Sequence, residues 1–189
     1  MKYLSILLFL GTCQFANAQV HLKKQTFYEL SAGGYDKPFL SKSNLSLQMG
    51  VGKYNRKGNA HVLGLNYNQK TASVFNAQNN NTLPIQIPVQ QFYFSYKTDF
   101  RICSNAMNDF HVRGIGRVNF GYESLNHEKQ SLENLYQLNQ KSDFLLGVGV
   151  GLEVEYSPFV AGVHQNINIL SNYQKFSSVT FLGFRFHIN

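Results

Sequence analysis

The sequence is short of charge. Only 14% of its 189 residues are Asp, Glu, Lys or Arg, well under the roughly 25% of ordinary soluble domains. That scarcity excludes a disordered chain, a coiled coil and a solvated helical bundle, each of which needs more charge or more Ala, Leu, Glu and Lys. Tryptophan is absent, and cysteine occurs only at Cys13 and Cys103. Once the amino-terminal segment leaves, one thiol remains, so no intramolecular disulfide can staple the fold. Lys and Arg number 17 against 10 acids, but they are scattered singly. Direct nucleic-acid binding needs a basic cluster, so it is not expected.

One stretch is continuously apolar, at the start. Residues 1–18 read MKYLSILLFLGTCQFANA: a lysine, an apolar run over Leu4 to Leu10, then Ala16-Asn17-Ala18. This predicts a cleavable secretory signal, too short and wrongly flanked for an anchor. Residues 19–25 then form a short tail and 26–189 the folded body. Leu10-Gly11-Thr12-Cys13 offers a rival reading as a lipidation site, which Thr12 suits poorly. Downstream, no segment approaches the roughly 20 apolar residues of a spanning helix. A helical inner-membrane protein is excluded, but not a barrel, whose strands cross in alternating segments of about ten residues.

What is abundant is Phe (16) and Tyr (11), set in runs of period two. In 144–156, Leu146, Val148, Val150, Leu152, Val154 and Tyr156 oppose Gly147, Gly149, Gly151, Glu153 and Glu155, and alternate residues of a strand share a face. The same pattern runs through 45–52, 61–68 and 179–188, with further strands expected at about 26–35, 89–99, 109–121 and 158–169. Between them, gaps at 36–43, 71–88, 122–142 and 170–178 alternate with shorter ones at 55–59, 100–108 and 157. Only Leu125 to Leu138 offers a short helix, and Cys103 falls in a turn. The fold class is therefore all-β: an eight-stranded antiparallel up-and-down transmembrane barrel, with short turns on one side and long loops on the other. In the fifth strand Gly114 and Gly116 fall on the apolar face and Ile115 on the polar one, which predicts a bulge there.

Alternation alone fits equally a soluble calyx with its apolar face inside. The polar face decides: it is mostly Gly, Ser, Asn and Gln with a few charges of both signs, suited to a narrow filled interior. The candidate lumen set is Glu29, Lys97, Arg113, Arg117, Glu153, Glu155, His164, Asn166, Arg185 and His187. Tyr28, Tyr35, Tyr54, Tyr67, Phe100, Phe120, Tyr122 and Tyr156 fall near strand ends, where aromatic girdles meet the two membrane interfaces. Outer-membrane lipid is the expected surrounding.

Chemistry is sparse. No HExxH, GxSxG, P-loop or CxxC motif occurs. His164 is followed by Gln165 and Asn166, without the serine that a barrel acyl hydrolase would place two residues on. His127-Glu128 with Ser124 or Ser131 is a set any polar loop could supply. Glu153 and Glu155, on one face, suit ion pairing with nearby arginines better than a metal. No catalytic residue, cofactor or metal is expected. The classes left open are a non-enzymatic scaffold, a surface barrel for adhesion or envelope stability and, more remotely, an acyl hydrolase or a lipocalin-like binder.

Four pieces resemble the TraO proteins of Bacteroidetes conjugative transposons: Ile87-Pro88 leading to Gln91-Phe92, Gly121-Tyr122-Glu123 with Asn126, Gly147 to Gly151 running into Leu152-Glu153-Val154-Glu155, and Gly183-Phe184-Arg185-Phe186 ending at Asn189. They span roughly 85–189. The resemblance implies an outer-membrane component of a conjugative DNA-transfer apparatus, without known catalysis, with other envelope proteins of that apparatus as partners.

Overall fold

A computed structural model describes residues 24–38, 43–74, 85–107, 109–125, 131–132, 136–137, 141–171 and 173–188. The expected signal and residues 19–23 of the expected tail lie outside these, as do His127 and Glu128. Eight strands close into one antiparallel barrel: β1 (Thr26–Tyr35), β2 (Asn44–Tyr54), β3 (Ala60–Val74), β4 (Ile85–Ser104), β5 (Phe110–Leu125), β8 (Lys141–Tyr156), β9 (Phe159–Leu170) and β10 (Phe176–Ile188). Each pairs with its sequence neighbour and β1 closes on β10. Two short strands, β6 (Ser131–Leu132) and β7 (Tyr136–Gln137), pair with each other in the β5–β8 connection.

The pairing register fixes the size of the barrel. Stepping from Tyr54 across the sheet leads through Ala60, Asp99, Ile115, Gly151, His164 and Val179 to Tyr35. Tyr54 itself bonds to Gln25 on the same first strand. The stagger is thus ten residues, from Gln25 to Tyr35. For eight strands 4.8 Å apart this sets a tilt of about 40° and a backbone radius of about 8 Å, room for side chains and little else.

Burial alternates as the sequence pattern requires, and the apolar side faces out. Leu30, Met49, Leu63, Phe94, Val150, Leu152, Ile169 and Leu182 are all exposed, Val150 by 69%. A continuous apolar outer wall over a polar interior is the surface of a membrane-embedded barrel, not of a soluble calyx. Aromatic rows bound it. Tyr28 pairs with Phe186, and Tyr156 with Phe159, near the chain termini. Phe92, Tyr122 and Phe144 line up across β4, β5 and β8 near the loops. Phe92 and Phe100 on one tilted strand stand about 20 Å apart along the membrane normal. Beyond the upper row the outward positions turn polar at Gln69, Gln90, Ser124 and Ser142.

Several expectations need correction. Tyr35 and Tyr54 are not girdle residues: their parity matches Glu29 and Gly52, and both rings are buried inside. The strands β3, β4, β5 and β8 are 15, 20, 16 and 16 residues long, so they extend into the gaps expected at 71–88 and 122–142. The described residues between Leu125 and Leu138 are strand rather than helix: Leu125 ends β5, and β6 and β7 pair antiparallel, the rest of that stretch lying outside the described residues. Cys103 lies at the end of β4, exposed and free, rather than in a turn. The irregularity next to β5 is in β4, between Arg101 and Cys103, while β5 pairs regularly with β8; a second register shift falls between β8 and β9 at Leu146 and Gly147. The facing of β5 nonetheless stands. Gly114 and Gly116 point outward under Ile102 and Phe100, and Ile115 packs inside with Val160 and Phe181.

Candidate functional site in the barrel lumen

Arg185 is the hub of the interior. Fully buried on β10, it reaches four carboxylates: Glu29, Asp99 at 3.1 Å, Glu153 at 2.8 Å and Glu155 at 2.7 Å. Its guanidinium also lies over the Phe27 ring, 4.5 Å from the centroid. Lys97 approaches from β4, donating to Glu29 at 2.7 Å and Glu153 at 3.1 Å. Arg113 donates to Glu155 at 2.8 Å and to the Gly58 carbonyl at 2.8 Å, so the first short turn is tied to the lumen. The Tyr54 hydroxyl donates to Glu155 at 3.1 Å, with its ring stacked on His187. Four carboxylates therefore meet three permanent cations from β1, β4, β5, β8 and β10. Charge-assisted bonds in a closed space of low dielectric are strong, and most of these cross the lumen rather than run along the sheet.

Above this layer, Arg117 is held by neutral groups. It donates to Asn119 and Asn66, each at 2.9 Å, and lies 2.7 Å from His164 Nε2, which must accept because a guanidinium has no acceptor. Asn119 passes the chain on to Asn166 at 3.1 Å. Gly149 makes room here: a Cβ at that position would come within 2.8 Å of Arg117 Cγ. Nearer the loops, Glu123 accepts from Gln91 and, at 2.7 Å, from Ser171. Tyr35 donates to Gln91 at 2.8 Å. Asp36 accepts from Gln174 and pairs with Lys70 at 3.0 Å.

All nine charged or histidine candidates from the sequence, with Asn166, are thus buried inside. His164, Arg117 and Asn166 belong to the middle layer; the others form the layer near the termini. Asp99, Tyr54, Gln91, Asn66, Asn119 and Glu123 were not among the candidates. Parity could have found them: Asp99 is two residues after Lys97 in one strand, and Glu123 continues the face of Arg117 and Asn119.

The arrangement can hold charge but has little reactive reach. Glu29, Asp99 and Glu153 could converge on a metal ion, their oxygens lying within 4.8 Å of one another. Lys97 and Arg185 already supply cations to all three. Ser171 contacts Glu123, while His164 lies beside Arg117 and His187 beside Tyr54. The layers also obstruct passage. Reconstituted in a planar bilayer, the barrel should give no stable large single-channel conductance; openings of porin size would mean that these layers do not fill the lumen.

A family model described as conjugative transposon protein TraO matches residues 22–188. The chain belongs to the TraO family. The match spans nearly the whole barrel, where the resembling motifs covered only its second half. Those motifs place Gln91, Glu123, Glu153, Glu155 and Arg185 of this TraO-family chain in the lumen layers. No curated protein matches it by sequence. Solved structures that share its fold include the following two. Neisserial surface protein A is 13% identical, with a TM-score of 0.54 over 85% of this chain and 96% of that one. The N-terminal β-barrel domain of Pseudomonas aeruginosa OprF is 11% identical, with a TM-score of 0.50 over 87% of this chain and 98% of that domain.

Proposed function

We propose that this protein is a non-enzymatic outer-membrane component of a conjugative DNA-transfer apparatus, serving as a rigid scaffold whose loops and rim engage other envelope proteins of that apparatus. The observation that carries this reading is the TraO family match across residues 22–188. The lumen supports it: a barrel interior cross-linked by its own side chains leaves the ends as working surfaces. The apolar belt makes lipid the lateral partner, and no duplex or single strand of DNA passes through or binds directly. Export through the signal expected at residues 1–18 would deliver the chain with both termini in the periplasm and the long loops outside.

Orientation has its own test in Cys103, which is exposed near the terminus end. A membrane-impermeant maleimide should leave it unlabelled in intact cells and label it once the outer membrane is permeabilised. Labelling in intact cells would invert the proposed topology.

The function is tested by deleting the gene from a transfer-proficient element and scoring transfer frequency. Transfer should fall and return on complementation. A chain with residues 76–83 replaced by a short turn should still migrate as a folded barrel, because β3 and β4 end outside that stretch. Reduced transfer with normal barrel levels would mark that loop as an interaction surface. Undiminished transfer on whole-gene deletion would leave a surface barrel for adhesion or envelope stability as the better description.

A further inference from the structure

One group of charges belongs neither to the lumen nor to the apolar belt. Lys24, Lys53, Arg56, Lys57 and Arg101 are all exposed at the terminus end. They occupy one arc of the rim, from the residue leading into β1, through β2 and the β2–β3 turn, to β4. The turn holds them together. Arg101 packs its guanidinium against Gly58, and its backbone N–H donates to Asn59 at 3.1 Å. Among the described residues none of the five cations enters a salt bridge. The three short turns carry one acid, Asp109, and Asn105 binds its carboxylate. Across the rim the β8–β9 turn offers Tyr156, Ser157, Pro158 and Phe159 instead, and beside β1 the end of β10 offers Ile188. Among the described residues, the positive charge of this arc is thus one-sided and without a carboxylate partner.

Its height relative to the membrane identifies the ligand class. Lys53 faces outward in line with Val51, and it pairs with His61, which is also exposed. Both therefore sit on the lipid-facing wall, at the level of the Tyr28 and Phe100 rings. Ile102, the residue after Arg101, is exposed, as is Met107 in the β4–β5 turn. Apolar and basic side chains mixed at one depth fit the headgroup region, where ammonium and guanidinium groups reach phosphates while their stems lie along acyl chains. A soluble acidic partner would be met by charges pointing away from the wall, not by Lys53 and His61 lying on it. We propose that this arc is a binding site for the phosphate of anionic phospholipids in the leaflet at the terminus end, which ties one side of the barrel to the interface. The inference rests on the barrel being membrane-embedded and not on the conjugation reading.

The test uses the full chain in lipid nanodiscs and in micelles, with retained lipid measured by native mass spectrometry. Phosphatidylglycerol should be retained in preference to phosphatidylcholine. Each neutralised cation should lower phosphatidylglycerol affinity about fivefold, so the variant K53Q/R56Q/K57Q/R101Q should lose the preference. The loop-end variant K37Q/K141Q/K175Q should keep it. Inorganic phosphate in excess should not displace the lipid; displacement would make this a free-anion site and overturn the lipid assignment. Equal retention of both lipids, an unaltered preference in the quadruple variant, or capture of a poly-glutamate peptide in place of lipid would each overturn it too. Should the quadruple variant fail to fold, the wild-type protein still decides: its preference must weaken as salt rises from about 50 to 500 mM. A salt-independent preference would rule out charge as the cause.

Discussion

Arg185→Met should lower the stability of the folded barrel by about 3–5 kcal/mol, the usual cost of leaving a buried carboxylate cluster without its cation. Methionine nearly preserves side-chain length, so packing against Phe27 survives and the loss is electrostatic. Glu29, Asp99, Glu153 and Glu155 would keep only Lys97 and Arg113 among them. The effect is readable as a shift in the urea midpoint of the heat-modifiable gel band. Adding Glu153→Gln should restore part of the loss, because the two side chains interact directly at 2.8 Å. An unchanged midpoint in the single variant would mean that water, not Arg185, solvates the carboxylates.

Val150→Arg tests the other face. Val150 is 69% exposed near the middle of β8, between the two aromatic rows. In a bilayer a charge at that depth should cost about 2–4 kcal/mol, seen as reduced folding yield in liposomes. In an aqueous calyx the same exposed position would accept arginine with almost no effect. Equal yields for variant and wild type would therefore remove the membrane reading itself.

The fold was legible wherever one face differed in hydropathy from the other. In 144–156 glycines and glutamates alternate with Leu and Val, so parity gave both the strand and its facing. Legibility ended with that contrast. Above the upper aromatic row the contrast on β4 reverses sense: Ile87 and Val89 are buried on the face that carries Gln91 and Tyr93, while Gln90 points outward. The strand's extension to Ile85 was hidden by that reversal and by Pro88, which reads as a break inside a strand. Tyr35 and Tyr54 were ambiguous for another reason: a tyrosine at a strand end suits either an interface or a lumen with a carboxylate to accept its hydroxyl. Only the phase of the strand distinguishes these. Glu155, the partner of Tyr54, is 101 residues away, and no local pattern joins them. The layered lumen was legible as composition but not as connectivity, since its partners come from strands that are not sequence neighbours.

The position of Arg185 along the chain has a consequence for biogenesis. It lies near the carboxy end, on the strand that seals the barrel against β1, and it is the cation that reaches all four carboxylates. Until β10 arrives, a seven-stranded sheet holds those acids with an open seam and without their main counter-charge. Sealing and neutralisation thus happen in one step, so a half-closed barrel is held back electrostatically as well as by its unpaired edges. A chain ending at Gly183 should therefore be recovered as degraded or aggregated material, not as a loosened barrel. On that account, a chain short of β10 can neither close its seam nor balance the charge of its lumen.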